Sequence, residues 1–519
     1  MHFARSLFTV SSLTIVSRVA GFVRDTLTAM YLGAGPIADA FFVAQRLPNL
    51  FRSLFAEGAF AAAFVPLYTA EQQRDGRAAA QRFAGEALAL LLAVLIPFTV
   101  LVMLFMPYVI QLLAPGFNDE PEKFSTTVHL SRIAFPYLIL ISITALQGGV
   151  LNAQGRFGPA AAAPIAFNIV LIFALLLAQF CSWPVGETLA WAVTISGVVQ
   201  AVWLAWSCRN AAAVIPLVLP RLSEASKRLF KRVGPGAIGA GAAQINLLLS
   251  TILASTLPTG AISFLFYADR LNQLPLGIVG IAVATTLLPL LSRHIEAGNE
   301  KNVQHYMSRA IEFCLLLGLP AAIGLALLSE PIIQTLFERG QFSHVDTIET
   351  ARALSAYALG IPAFLLVKVF SAQFFARHDT KTPVKIAVIS MITNVVCAVL
   401  LLGLLEHVGI ALATSIATWT NAILLYIQLR RREPQFGDAK LAYRIPRLLG
   451  CTVGMGLVAF VALMMLESWF ARGGHLMREI SGLLLIIGPS SIVYALLLQL
   501  SGTMRWQEVR DVLKRKEQI

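Results

Sequence analysis

The sequence predicts an all-α polytopic membrane protein with about 14 transmembrane helices, and three observations carry that prediction. The first is composition. Of 519 residues, 57% are hydrophobic and 13% charged, against about 45–50% and about 25% in soluble domains. So little charge cannot cover the surface of a soluble protein this long, which excludes an ordinary soluble domain and a disordered chain. The second is the succession of apolar stretches, and the third is the sorting of Lys and Arg to alternate connections.

In chain order the stretches fall at 8–33, 37–68, 84–113, 128–151, 160–181, 187–207, 234–256, 261–291, 308–329, 350–374, 384–405, 408–429, 446–470 and 479–501. Each is long enough for the roughly 20 residues that a spanning helix needs, with some tilt. The first follows Arg5 and is interrupted by Arg18 and Arg24. With no small-residue cleavage site after a clean apolar core, it reads as a retained span rather than a signal peptide. The connections are short, and none holds a catalytic domain. Two basic segments read as interfacial amphipathic helices. One sets Leu222, Leu229 and Val233 opposite Lys227, Arg228, Lys231 and Arg232; the other sets Trp506, Val509 and Leu513 opposite Arg510, Lys514 and Arg515.

An even number of spans puts both termini on one side. Even-numbered connections carry Arg74, Arg77 and Arg82, then Arg221 to Arg232, Arg293 to Arg309, Arg377 to Lys385 and Arg430 to Arg447. The opposite connections are neutral or acidic, as at Asn118-Asp119-Glu120. Roughly 28 of the 40 Lys+Arg sort to the side of the termini, which the positive-inside rule makes cytoplasmic. The net charge of +12 is therefore a topology signal, with attraction to anionic lipid headgroups as a secondary reading, and it does not point to nucleic acid. Five scattered cysteines without CxxC spacing, dispersed histidines and the lack of a nucleotide-binding or hydrolase motif point to no metal, cofactor or ATP-driven chemistry. Energy must then come from a gradient or from the membrane potential, worth about 2.3 kcal/mol per charge per 100 mV.

The chain resembles itself. Gly35-Pro-Ile-Ala-Asp39 through Arg46-Leu47 is similar to Gly260-Ala-Ile-Ser263 through Arg270-Leu271. Pro115-Gly116-Phe117 precedes Phe135-Pro136 as Gly340-Gln341-Phe342 precedes Ile361-Pro362, and Arg156 with Pro159 matches Arg377 with Pro383. The repeat covers about six spans per half, so the halves are related by an axis along the membrane normal. The expected organisation is two pseudo-symmetric six-helix lobes, 1–220 and 221–434, plus a C-terminal helix pair with the amphipathic tail at 435–519.

Charge inside the spans is the functional signal, because each such group facing lipid costs at least about 2.5–3.5 kcal/mol at the bilayer centre. Helical spacing puts Asp39, Arg46, Asn49, Ser53 and Glu57 on one face of span two, and Arg18, Gly21 and Asp25 on one face of span one, flanked by Ser17 and Arg24. Stripes of this length are expected to line a water-filled cavity. Arginine outnumbers carboxylate there. Its planar fork suits phosphate oxygens, so Arg18, Arg24, Arg52 and Arg270 suit a phosphate or diphosphate. For Arg46 a structural pair, for example with Asp39, is the blander reading, as is a structural role for Lys368.

Ser17-Arg18-Val-Ala-Gly21-Phe-Val-Arg24-Asp25, Ala38-Asp39-Ala-Phe-Phe, Leu47-Pro48-Asn49-Leu-Phe-Arg52, Phe55-Ala-Glu57-Gly58, Tyr267-Ala-Asp269-Arg270 and Asp379-Thr-Lys-Thr-Pro383 together resemble the MurJ (MviN) family of bacterial lipid II flippases. That family belongs to the multidrug/oligosaccharidyl-lipid/polysaccharide exporter superfamily. The resemblance runs over essentially the whole chain. It implies a transporter, not an enzyme, of the bacterial inner membrane, working in peptidoglycan biosynthesis and so in cell wall biogenesis and cell shape. It implies two lobes around a central cavity and a groove for the lipid tail beside spans thirteen and fourteen. It implies a substrate, undecaprenyl-diphosphate-linked disaccharide-pentapeptide (lipid II), carried by alternating access, and cell-wall synthesis or division proteins as partners. On the resemblance Arg18, Arg24, Arg52, Arg270 and Asp39 are substrate-site positions, with Ser17, Gly21, Asn49, Glu57, Ser263 and Asp269 in supporting or gating places. Some family members hold sodium between spans seven and eleven; Asn246, Asp379 and Thr393 are the candidate oxygens here, and coupling to a monovalent cation or to the membrane potential follows as an expectation. The rival readings are a flippase for another polyprenyl-diphosphate oligosaccharide, a multidrug/cation antiporter, a membrane glycosyltransferase and a scaffold for cell-wall enzymes. Cavity arginines argue against the antiporter, and the want of a large external loop against the glycosyltransferase.

Overall fold

The structure, a computed structural model, describes residues 2–55, 59–221, 223–433, 439–470 and 475–503. The described residues are helical, with no strand among them. Contacts divide the chain into two units: residues 1–263 with 339–343, and 264–338 with 344–519. This grouping follows contacts, whereas the repeat follows sequence likeness.

The first unit contains α1 (His2–Leu32), α2 (Pro36–Phe55), α3 (Ala59–Leu104), α4 (Met106–Leu113), α5 (Pro121–Ala134), α6 (Tyr137–Ala153), α7 (Gly158–Cys181), α8 (Val185–Asn210) and α9 (Glu224–Ser255). Helix α1 packs on α7, α2 on α5 and α9, α3 on α6 and α9, and α8 on α6 and α7. The second contains α10 (Ala261–Glu296), whose first turn belongs to the first unit, then α11 (Glu300–Leu327), α12 (Ser329–Phe337), α13 (His344–Ala358), α14 (Ile361–Ala376), α15 (Lys381–Arg432), α16 (Ala439–Met465) and α17 (Leu476–Leu500). There α14 packs on α11 and α15, α13 on α12 and α15, and α16 on α11 and α17.

Nine helices among the described residues are long and apolar enough to cross a membrane by length and composition. That is fewer than the fourteen stretches of the sequence, for physical reasons. One of the nine, α15, is two helices joined at Glu406 (φ 49). Helices α1 and α2 are diluted by Arg18, Arg24 and Asp25 and by Asp39, Arg46 and Arg52. A similar fusion occurs in α3, where Gly76 (φ 84) takes a backbone conformation open to glycine.

The repeat recurs in the helices themselves. The run α4, α5, α6 has 8, 14 and 17 residues, and the run α12, α13, α14 has 9, 15 and 16. Each run has a chain break before or at a proline: Phe135-Pro136 separates α5 from α6, and Gly360 precedes Ile361-Pro362 at the start of α14. Proline lacks the N–H that would continue the ladder, so the break is local in origin. The basic segment before span seven is no separate helix. It starts α9, where Ser223 caps the backbone N–H of Ser226 and Leu229 is buried in the aromatic core of Phe60, Phe64, Tyr68 and Phe83. Arg228 meets Glu71 at 3.3 Å. Leu222 and the tail from Trp506 lie outside the described residues, as does the Arg232 side chain.

Packing in the first unit relies on close approach at Gly197. A Cβ there would come within 2.8 Å of both Leu140 and Tyr137, where α8 crosses α6. Gly197→Ala should therefore destabilise the protein by about 1–3 kcal/mol through overpacking. The check is a drop in the midpoint of thermal aggregation in detergent relative to the parent.

Candidate functional site

Arg24 stands two-thirds of the way along α1 and is half-buried. Its Nε and Nη2 donate to Asp25 Oδ1 at 3.0 and 2.6 Å, and its Nη1 donates to Asn168 Oδ1 at 2.9 Å. Asn168 in turn donates to the Ser17 carbonyl at 3.0 Å, which ties α7 to α1. The guanidinium lies over the Phe167 ring, 5.6 Å from its centroid. Arg24 and Asp25 form a direct ion pair, because adjacent residues on a helix reach each other when one side chain is long. Gly21 lies beside Asn168, so a Cβ there would make ordinary contact with the amide at 3.5 Å.

Arg52, in the last turn of α2, donates from Nε to Asn49 Oδ1 at 3.2 Å, and Asn49 donates back to the Gln45 carbonyl. Arg24 and Arg52 both lie within electrostatic reach of Tyr137, which is buried. Tyr137 also packs against Phe167. Two of the four predicted arginines thus converge on one tyrosine. Tyr137 and Asn168, which meet these arginines, are not among the site residues that the sequence reading singles out. Arg18 is exposed on α1. Arg270 belongs to the second unit, with its guanidinium 4.6 Å from the Phe266 centroid, beside Asp269, which accepts from Gln273. Lys368 is exposed over Phe364.

Asp39 differs from expectation. It is 1% exposed and does not face a water-filled cavity, nor does it pair with Arg46. Its Oδ2 accepts the Gly260 backbone N–H at 2.8 Å, and its Oδ1 accepts the Ser263 N–H at 3.0 Å and the Ser263 hydroxyl at 2.6 Å. These amides belong to the first turn of α10, which has no partners of its own within the helix. A carboxylate there satisfies them and faces the positive end of the helix dipole. Lys123 of α5, 4% exposed, completes the charge balance at 3.2 Å from Asp39 Oδ2. It also contacts Thr259 at 3.0 Å and Glu120 at 3.4 Å and lies 4.3 Å from the Phe117 centroid. Arg46, one face-turn on, donates to Thr251 of α9. The upper stripe of α2 is therefore packed against α9 and the start of α10. Glu57 and the Ser53 side chain lie outside the described residues.

Of the candidate cation ligands, Asp379 and Thr393 do not converge within the second unit. Asp379 accepts from the Thr382 N–H at 3.0 Å and hydroxyl at 2.6 Å and pairs with Arg432 at 2.7 Å. Those bonds, the Thr382 ones foremost, hold its carboxyl well below the usual carboxylate range. Thr393 lies about 16 Å further along α15 by helical rise from Thr382, and its hydroxyl donates to the Ile389 carbonyl. Asn246 belongs to the first unit, and its carbonyl accepts from Ser250.

Two outcomes follow. Lys123→Met leaves a buried carboxylate unpaired and should cost about 3–5 kcal/mol. The double variant Lys123→Met/Asp39→Asn should recover part of that loss in thermal denaturation, whereas additive losses would disprove the pairing. For Asp379 the folded carboxyl is depressed, so its contribution is fully present above the unfolded value of about 3.9 and is lost only as pH falls through the lower folded value. Asp379→Asn should therefore lower the melting temperature by the same amount from pH 5 to pH 8, with the gap closing only in stronger acid.

Comparison with known proteins agrees with this architecture. The family model described as lipid II flippase MurJ matches residues 28–480. The chain is 46% identical over 468 residues to the probable lipid II flippase MurJ of Rhizobium meliloti (strain 1021), covering 89% of this chain and 87% of that protein. It is 38% identical over 459 residues to its counterpart from Rickettsia prowazekii (strain Madrid E), covering 88% and 90%. Among solved structures, lipid II flippase MurJ in an inward closed conformation superposes with a TM-score of 0.78 at 24% identity, covering 97% of this chain and 99% of that one. An inward-facing multidrug resistance MATE transporter of the MOP superfamily superposes with a TM-score of 0.69 at 14% identity, covering 82% and 97%. At those identities the likeness shows the fold. With the family model spanning most of the chain and the relatives well above 30% identity, this multi-pass membrane protein belongs to the lipid II flippase MurJ family, a family of transporters and not of enzymes.

Proposed function

We propose that this chain carries lipid II from the cytoplasmic to the periplasmic leaflet of a bacterial inner membrane by alternating access, with both termini cytoplasmic. The observation that carries the reading is the convergence of Arg24 and Arg52 on Tyr137 within one unit. Guanidinium forks offer bidentate donors to a diphosphate, and each charge-assisted bond is worth about 1.5–3 kcal/mol. Arg18, on the same helix as Arg24, adds to the same recognition. Arg24 arrives already paired with Asp25, so a diphosphate must share its fork or displace the carboxylate. The exchange lets substrate binding change the charge state around α1 without creating a bare buried cation. The polyprenyl tail remains in lipid beside α16 and α17. Transport draws on the membrane potential or on a monovalent-cation gradient, and no bond is made or broken. Cell-wall synthesis proteins receive the product on the far side.

The test is depletion of the protein in its host, with complementation by variants and a measurement of lipid II exposed to the periplasm. Arg24→Ala and Arg52→Ala should each reduce exposure by about 10–100-fold, the change that one lost charge-assisted contact produces, at unchanged membrane levels. Arg24→Lys, which keeps the charge but not the fork, should fall between. Normal exposure in both alanine variants removes the site assignment. Normal lipid II exposure on depletion, with another polyprenyl-diphosphate oligosaccharide retained inside, redirects the substrate.

A further inference from the structure

Two loops that the internal repeat aligns make the same unusual contact. In the first, residues 115–119 follow α4, and the Gly116 N–H donates to the Ser255 hydroxyl at 3.3 Å, in the last turn of α9. In the second, residues 339–343 follow α12, and the Gln341 N–H donates to the Met30 carbonyl at 2.8 Å, in the last turn of α1. Gly116 and Gln341 are the aligned positions. Helices α1 and α9 are the first helices of their respective repeats, so each loop sits on the opening helix of the other repeat. All of these residues lie in the first unit.

Both contacts depend on a missing side chain. A Cβ on Gly116 would fall under 3.0 Å from the Ser255 carbonyl oxygen, and a Cβ on Gly340 under 3.0 Å from that of Met30. Backbone carbonyls at helix ends cannot give way as a flexible side chain can. Gly340 also has φ +61, and Gly33, facing it at the end of α1, has φ +66, both in the left-handed region that suits glycine. Each loop is anchored by one buried ring, Phe117 at 1% and Phe342 at 2% exposure. The bases of the loops are fixed by charge. Lys123 lies over Phe117 and pairs with Asp39, and His344 meets Glu338 at 3.1 Å across the neck of the second loop.

Helix ends leave acceptors without partners within the helix; the Gln341 amide satisfies one of them, the Met30 carbonyl, and the Gly116 amide bonds the Ser255 hydroxyl at the corresponding helix end. The contact is small, holding one amide and one ring per loop, and it is made twice. We propose that loops 115–119 and 339–343 are a repeat-related pair of latches, each a glycine-bared backbone seated on a helix end. On the orientation given above they close the periplasmic side while substrate is taken up from the cytoplasm, and they release together when it leaves. The function assigned to the closure rests on the flippase reading; the latch itself does not.

The two are separated by two measurements. Gly116→Ala adds one methyl group at a position that is not in the left-handed region, so it tests seating alone; Gly340→Ala tests the partner loop. In a Cys181→Ser background carrying Thr259→Cys as reporter, labelling by a membrane-impermeant maleimide applied from the periplasmic side should rise roughly tenfold in either alanine variant, the population change that about 1.4 kcal/mol produces. The double variant should rise further, and periplasmic exposure of lipid II should fall in all three at normal membrane levels. Labelling equal to that of the reporter parent in both single variants would overturn the latch. A rise in labelling with lipid II exposure unchanged would keep the latch and overturn its part in transport. Should Thr259→Cys itself impair folding, Leu257→Cys, half-buried in the same turn, serves as the second reporter with the same expected outcomes.

Discussion

A helix that begins inside a protein must find acceptors for its first amides, and the start of α10 finds them in Asp39. The rest of this region follows from that requirement. A carboxylate taken out of water is costly unless it gains donors and a counter-charge. Asp39 gains two amides, a hydroxyl and Lys123. Lys123 then needs its own surroundings, which Thr259, Glu120 and the Phe117 ring supply. One unmet helix end therefore ties together α2, α5, the loop before α5 and the turn between α9 and α10. An apolar side chain in place of Asp39 would lose all of this, since nothing else in the contact set can accept from the Ser263 amide.

The arginines obey the same rule in a different way. Charge in the span is tolerated at Arg24 because Asp25 accompanies it, and the pair enters as nearly neutral. Asn168 and Phe167 on α7 then take the remaining donors and the flat face of the guanidinium. Lysine could keep the ion pair but could not at once hold Asp25 and Asn168 with a planar fork. On the proposed diphosphate reading, an arginine that starts out engaged differs from a bare one. Its affinity is a difference between two good partners, so it can release what it binds, as a carrier must.

The sequence reading reached the fold class because hydropathy and basic-residue sorting act over whole segments. It reached the repeat because helix lengths follow from local punctuation such as Phe135-Pro136 and Ile361-Pro362. It singles out Arg24, Arg52 and Asp39 because ionisable residues in apolar stretches are rare. It does not single out Lys123, which sits in an acidic loop run and looks like one more external charge, or Tyr137, which looks like core. Their roles are set by partners about 80 to 140 residues away in the chain, and one sequence carries no signal of such pairings. The kink at Glu406 was read as a gap between two spans. The start of α9 was read as a separate helix, because the change from basic to apolar composition marks an interface with the membrane and not an end of the helix.

The helices that depart from the apolar norm are the ones that carry the candidate chemistry. Helix α1 carries four charged residues and α2 three, and each such group left in lipid would cost at least about 2.5–3.5 kcal/mol. That cost is met by specific neighbours: Asn168 for α1, Thr251 and the first turn of α10 for α2. These two helices are consequently stable in the membrane only when packed, whereas α7 or α17 could span it alone on hydropathy. Polar contacts exchange partners at smaller cost than a close-packed apolar seam, which must open a void to move. A transporter needs some seams that hold and some that let go, and polar seams such as those along α1 and α2 are the cheaper kind to remake.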